Sequence, residues 1–252
     1  MKTVYLSFLL CCIFGTSCRN NPEPKVTYVE IDQNIVLAQD LSKKDQWVFE
    51  DYGKGVILLS NIKEKDPKGF ANYLKTEGSS LFTRLTDYRR YDSLLAGKNM
   101  DEQFQVLAPL STTLARLVRI CYSTETKKGK LVLGKEIISS MIASMTLNGR
   151  TLSLIDIKFP DKEALDAVRK QGWEKVQSGT FAMIQGALIT IGNDSRLYEK
   201  EDLLRLAAFL PNAIKEAGSA LAPGSRDLIA AELEKINTGS SSPEIKKALS
   251  GQ

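Results

Sequence analysis

The chain has 252 residues, of which 43% are hydrophobic and 25% charged, the balance of a folded protein rather than a disordered one. Its formal charge of +4 is too small to argue for nucleic acid as a partner. It contains no histidine, which excludes His-based triads and most zinc sites and leaves carboxylate chemistry and calcium open.

The first segment reads Met1-Lys2-Thr3, then an apolar run over residues 4–14 interrupted only by Ser7, then Gly15-Thr16-Ser17-Cys18. A basic start, a short apolar middle and small residues ahead of a cleavage point form an export signal. As a helix the run would cover about 17 Å, against a hydrocarbon core of about 30 Å, so it engages an export channel without spanning a bilayer permanently. The most apolar later window, 181–191, is also short and carries Gln185, Gly186 and Thr190.

Gly15-Thr16-Ser17-Cys18 resembles the lipobox of bacterial lipoproteins. Thr16 and Ser17 fit its two small positions and Cys18 the modified one, while Gly15 stands where a Leu or another aliphatic is commoner. Looser boxes ending in Ser-Cys are similar to those of Bacteroidetes. The resemblance covers the leader alone. It implies cleavage between Ser17 and Cys18, diacylglycerol on the Cys18 thiol and a fatty acid such as palmitate on the new amino group. Two or more acyl chains hold a protein durably, at about 0.8 kcal/mol per buried methylene. Ordinary secretion is the alternative, because Gly15 and Ser17 also suit a standard signal peptidase cutting the same bond. Arg19 takes the place of the Asp that resembles an inner-membrane retention mark, which points to the outer membrane. No acidic run of the kind that resembles a surface-export tag follows, which points to its periplasmic face. Asn20-Asn21-Pro22-Glu23-Pro24 reads as a stiff polar tether.

Cys11 and Cys12 leave with the leader and Cys18 is the anchor, so Cys121 stays without a disulfide partner; an unmodified Cys18 would make a Cys18–Cys121 bridge conceivable. Residues 25–31 alternate weakly. Residues 40–62 read as a helix or helix pair, weakened by Gly53 and Gly55. Asp66-Pro67 is a helix start, and Gly78 ends the segment that follows. Over 81–96, Leu85, Tyr88, Tyr91 and Leu95 share one helical face, and Gly97 is a stop. A helix opens at Asn99 or Asp101 and runs to about Tyr122, broken or bent near Pro109. Residues 123–130 form a polar, basic loop. The stripe Ile137, Ile138, Met141, Ile142 and Met145 predicts a helix over 135–146, and Asn148-Gly149 a turn.

Residues 151–159 stay open between helix and a short strand. Pro160-Asp161 then starts the longest helix, with Leu165, Val168, Gly172, Val176 and Gly179 on one face; beyond Phe181 it is apolar on nearly every side and reads as the central buried element. After a turn at 193–195, helices are expected over 199–217, kinked at Pro211, and over 223–237. The expected organisation is a cleaved signal peptide (1–17), a lipidated cysteine and tether (18–30), an irregular all-α domain (31–237) with a short extended segment near 151–159, and a flexible C-terminal tail (238–252).

Candidate chemistry is sparse. Residues 129–135 have the spacing of a phosphate-binding loop, but Glu136 follows where magnesium binding needs Ser or Thr, and the interior Leu131-Val132-Leu133 wants a core. Tyr88-Arg89-Arg90-Tyr91 mixes rings for stacking with guanidiniums for bidentate contacts, as in an anionic-ligand or glycan patch; the tyrosine spacing suits inward packing with the arginines in solvent. Lys127, Lys128, Lys130 and Lys135 form a basic cluster. Glu199, Glu201, Asp202, Asp161 and Glu163 sit where a helix dipole favours acids. No catalytic residue, metal site or cofactor is expected. The partners expected are membrane lipid through Cys18 and an envelope protein or glycan, with no nucleic acid. The reading is therefore a non-enzymatic, lipid-anchored periplasmic protein with a binding or scaffolding role. Its alternatives are an exported carboxylate-dependent enzyme acting on glycans, or a periplasmic immunity or inhibitor protein.

Overall fold

A computed structural model describes residues 32–193, 195–218, 220–239 and 242–251. The leader, the cleavage point at Ser17 and Cys18, the tether and the alternating segment 25–31 lie outside the described residues. Helix α1 (Gln33–Lys43) begins where the Asp32 side chain accepts from the Asn34 N–H, which satisfies one of the orphan donors of the first turn. It ends at Lys44, whose backbone is extended. Helix α2 (Phe49–Lys65) follows, so 40–62 is a pair whose first member starts earlier than its sequence suggests. Gly55 is buried in α2 because a Cβ there would come within 3.1 Å of Leu85; its absence lets that side chain dock on the helix backbone.

Helices α3 (Phe70–Lys75) and α4 (Ser79–Thr86) come next, then a single 3₁₀ turn (Tyr88–Arg90) and α5 (Tyr91–Leu95). The helix expected over 81–96 is thus broken at Asp87, whose backbone leaves the helical region and whose carboxylate serves both Arg89 and Arg90. Gly97, at φ +72°, stops the run. Helix α6 (Met100–Cys121) opens with a reciprocal cap: Asn99 Oδ1 accepts from the Glu102 N–H, and Glu102 returns the bond to the Asn99 N–H. It continues through Pro109. The basic loop is a hairpin, β1 (Thr126–Lys127) against β2 (Lys130–Leu131), turned by Lys128 and Gly129, both at positive φ as a two-residue turn requires.

Helix α7 (Gly134–Lys158) corrects two expectations at once. The expected turn at Asn148-Gly149 is helical, and so are residues 151–158 of the segment left open between helix and strand. Asn148 is buried and accepts from the Ser111 hydroxyl of α6, and Gly149 lies against Glu216 of α9 (Lys200–Ala217), so tertiary contacts override the local turn signal. Residues 140–149 of α7 are all buried, and α7 contacts α6, α8 (Ala167–Gly192) and α9. The central element is therefore α7. Helix α8 starts at the Asp166 cap rather than at Pro160, and Val168, expected on its inward face, is 80% exposed; burial is confined to its second half, at Ile184, Ala187, Leu188 and Ile191.

Helix α9 passes through Pro211, and α10 (Pro223–Thr238) packs on α8. The tail expected to be loose contains α11 (Pro243–Leu249), which buries Ile245 and Leu249 and packs on α9. The fold is all-α: among the described residues, eleven α-helices and one two-stranded hairpin surround a single apolar cluster. Among the described residues no helix is long and apolar enough to cross a membrane.

Candidate functional site

Helical spacing builds a groove from three elements. Helix α4 contributes Ser79, Thr83 and Thr86; the first turns of α7 contribute Lys135, Ser139 and Ile142; α9 contributes Arg205, Phe209 and Asn212. Each set recurs at three or four residues, which places it on one face of its helix. Asp87, Tyr88 and Arg89 close one end. The hollow has a volume of about 630 Å³. A second hollow, about 870 Å³, adjoins it at Ser79, Lys135, Glu136 and Arg205 and runs toward β2 and the acidic start of α9.

Two of the groove's three cations, Arg205 and Arg89, are held by the protein. One Arg205 nitrogen donates to the Lys135 carbonyl at 3.3 Å, to the Ser139 hydroxyl at 2.9 Å and to Asp202 at 3.4 Å, tying α9 to the start of α7. Arg89 and Arg90 donate to the two oxygens of Asp87 at 3.0 and 3.1 Å. Burial raises the affinity of the Asp87 carboxyl for its proton, but these two bonds outweigh it and hold the group below the usual carboxylate range. Asp202 goes the other way: burial lifts its carboxyl above that range against the pull of Arg205 and Lys135. The Tyr88 and Phe209 rings meet across the groove, 6.3 Å apart and tilted by 53°.

Glu136 lines both hollows and is 9% exposed. Its Oε2 is enclosed and has no hydrogen-bond partner among the described residues. A buried carboxylate oxygen left unpaired is unfavourable by about 1–3 kcal/mol or more, so the feature asks for a donor. The start of α7, whose first turn has no side-chain cap, lies beside it.

The four residues of the 88–91 segment separate. Tyr88 and Arg89 line the groove. Arg90 is exposed and held by Asp87. Tyr91 is 0% exposed, donates its hydroxyl to the Leu85 carbonyl at 2.7 Å and meets Tyr52 edge-on. Ser17 and Cys18 lie outside the described residues. The phosphate-loop spacing at 129–135 is split between the hairpin and α7, and Lys130 is spent on the Tyr198 carbonyl. Cys121 is buried and its thiol is pushed up to about 12 by burial, against a bond from Ser140. Among the described residues no group of three acidic or thiol side chains is placed to hold a metal.

Sequence reasoning passed over Glu136, Arg205, Phe209 and Asn212. Glu136 registered only as the wrong residue after a phosphate loop, and on α9 the polar members look like an ordinary solvated face. Compared with protein-family models, curated proteins and solved structures, the chain matches none.

Proposed function

We propose that this chain is a lipid-anchored envelope protein that holds a small polar ligand in the groove between α4, α7 and α9, acting by binding rather than by catalysis. The observation that carries the binding role is Glu136, a buried carboxylate oxygen without a partner in the wall of an open groove. The state of the neighbouring side chains supports it. Arg205 and Arg89 are fixed in structural bonds, so they shape the groove and are not free to shuttle protons or charge.

The anchor rests on Gly15-Thr16-Ser17-Cys18. In this reading Cys18 carries the acyl chains, residues 20–24 stand the domain off the bilayer, and the groove samples the periplasm from the inner face of the outer membrane. Intact-mass measurement of the membrane-fraction protein tests it, with Cys18→Ala as control. The expected result is a mass lacking residues 1–17 and carrying added acyl groups, with the substituted protein released into the soluble extract. A wild-type chain recovered with a bare Cys18 thiol overturns the anchor.

A further inference from the structure

We infer that the groove ligand is a saccharide, with Glu136 accepting from its hydroxyl groups and the Tyr88–Phe209 pair forming the apolar wall against which a sugar ring lies. The inference rests on the reading of the groove as a ligand site. It starts from the Glu136 carboxylate, which lines the hollow, keeps 9% of the residue's surface exposed and has its enclosed Oε2 unpartnered. Of the three cations in the hollow, Arg205 and Arg89 have other acceptors, and Lys135 has none among the described residues. Arg205 serves the Lys135 carbonyl, Ser139 and Asp202, and Arg89 serves Asp87. Neither arginine therefore supplies the missing donor, which on this inference comes with the ligand.

Charge then narrows the class. The first hollow sets Asp87 and Glu136 against Arg89, Lys135 and Arg205. A cation in this hollow shares it with three positive side chains, and an anion shares it with two carboxylates. A neutral hydroxyl avoids both conflicts, because it donates to a carboxylate and accepts from an ammonium or amide. The wall offers further polar contacts at Ser79, Thr83 and Asn212. Tyr88 and Phe209 are half-buried and add apolar surface at the same hollow, suited to the C–H face of a pyranose. The volume of about 630 Å³ falls within the range of about 300–1,000 Å³ typical of small-ligand pockets.

The test is calorimetry and saturation-transfer NMR on the full-length protein in mild detergent. The neutral probes are chitobiose, maltotriose and mannobiose; butylamine and acetate are the charged probes. Binding of at least one neutral saccharide is expected. Glu136→Gln should weaken it roughly tenfold or more, since a hydrogen bond to a charged acceptor is lost. Tyr88→Ala should weaken it roughly three- to tenfold. Val168→Ala, on the exposed face of α8, should leave it unchanged. Asn212→Ala, at an exposed position on the rim, gives a second groove variant whose folding is not in question, and circular dichroism checks the others. Saccharide binding indifferent to Glu136→Gln, Tyr88→Ala and Asn212→Ala overturns the assignment. Butylamine binding that depends on Glu136, with no saccharide binding, also overturns the saccharide while the groove reading survives. If no probe of either class binds, the groove reading falls with it.

Discussion

Asp51 shows how one side chain decides where two helices meet. Its Oδ2 accepts from the Val48 N–H at 2.8 Å, closing the first turn of α2, and from the Lys44 ammonium at 2.5 Å, just beyond the end of α1. Its side chain is 3% exposed. Burial alone would raise this carboxyl, but the bonds from Lys44 and Val48 outweigh it, and the group sits below its ordinary value. A carboxyl depressed in the folded state contributes stability above its unfolded value, about 3.9, and that contribution is lost as pH falls through the folded value. Asp51→Asn should therefore lower stability by about 1–2 kcal/mol at neutral pH. Urea denaturation at several pH values should show the gap between the two proteins closing toward pH 3 and below. A gap that stays constant across that range would mean that the carboxylate charge contributes nothing. No sequence rule points to this cap, because Val48 is a poor capping residue and the acceptor lies three places on. Glu136 was hidden for a related reason: its significance depends on which donors its neighbours have already spent. Tyr91, by contrast, announces its burial through its spacing from Leu85 and Leu95.

At the scale of elements, the starts of α6 at Asn99 and α10 at Pro223 were legible, whereas the capped starts at Asp32, Asp166 and Ser242 were not. Elements decided by packing were hidden too. Residues 151–159 alternate like a strand, yet all but Phe159 extend α7, because Thr151, Leu152, Leu154 and Ile155 are buried there. The first half of α8 carries apolar residues at helical spacing, yet none is fully buried: Val168 is 80% exposed and Val176 only partly covered. The C-terminal segment is the clearest case. Gly239, Ser240, Ser241 and Pro243 read as a loose tail, but Ser242 caps a short helix and Ile245 and Leu249 supply two apolar anchors on α9. Two such side chains, each worth about 1.5–3 kcal/mol when fully buried, act with the helix's own hydrogen bonds against the entropy of ordering the segment. Deleting residues 240–252 should lower the unfolding free energy, because it uncovers the α9 surface that Ile245 and Leu249 bury. The urea midpoint measures it; an unchanged midpoint would make α11 an ornament rather than part of the core.

Across the whole molecule, several ionisable groups are built into the single apolar cluster. Tyr52 and Tyr91 meet edge-on at 5.7 Å, and Trp47 meets Tyr52 at 4.9 Å. Burial pushes Tyr52 and Tyr73 up to about 12, raises Tyr91 further, and pushes the Cys121 thiol up to about 12. These groups come from α2, α3, α5 and α6, so their ionisation is tied to the cluster and not to one helix. In the unfolded chain tyrosine titrates near about 10 and cysteine near about 8.5. A group whose value is raised by folding contributes stability that is complete below its unfolded value and is lost as pH climbs toward the folded one. Stability should therefore fall from about pH 9 upward and steeply between about pH 10 and 12. Because the buried rings cannot ionise singly without charging the core, the tyrosinate absorbance of Tyr52, Tyr73 and Tyr91 should rise together with the loss of helical circular dichroism. Tyr52→Phe should remove its share of the alkaline loss and shift the transition to higher pH. Gradual ionisation of all three at constant helicity would show that water reaches the cluster without unfolding it.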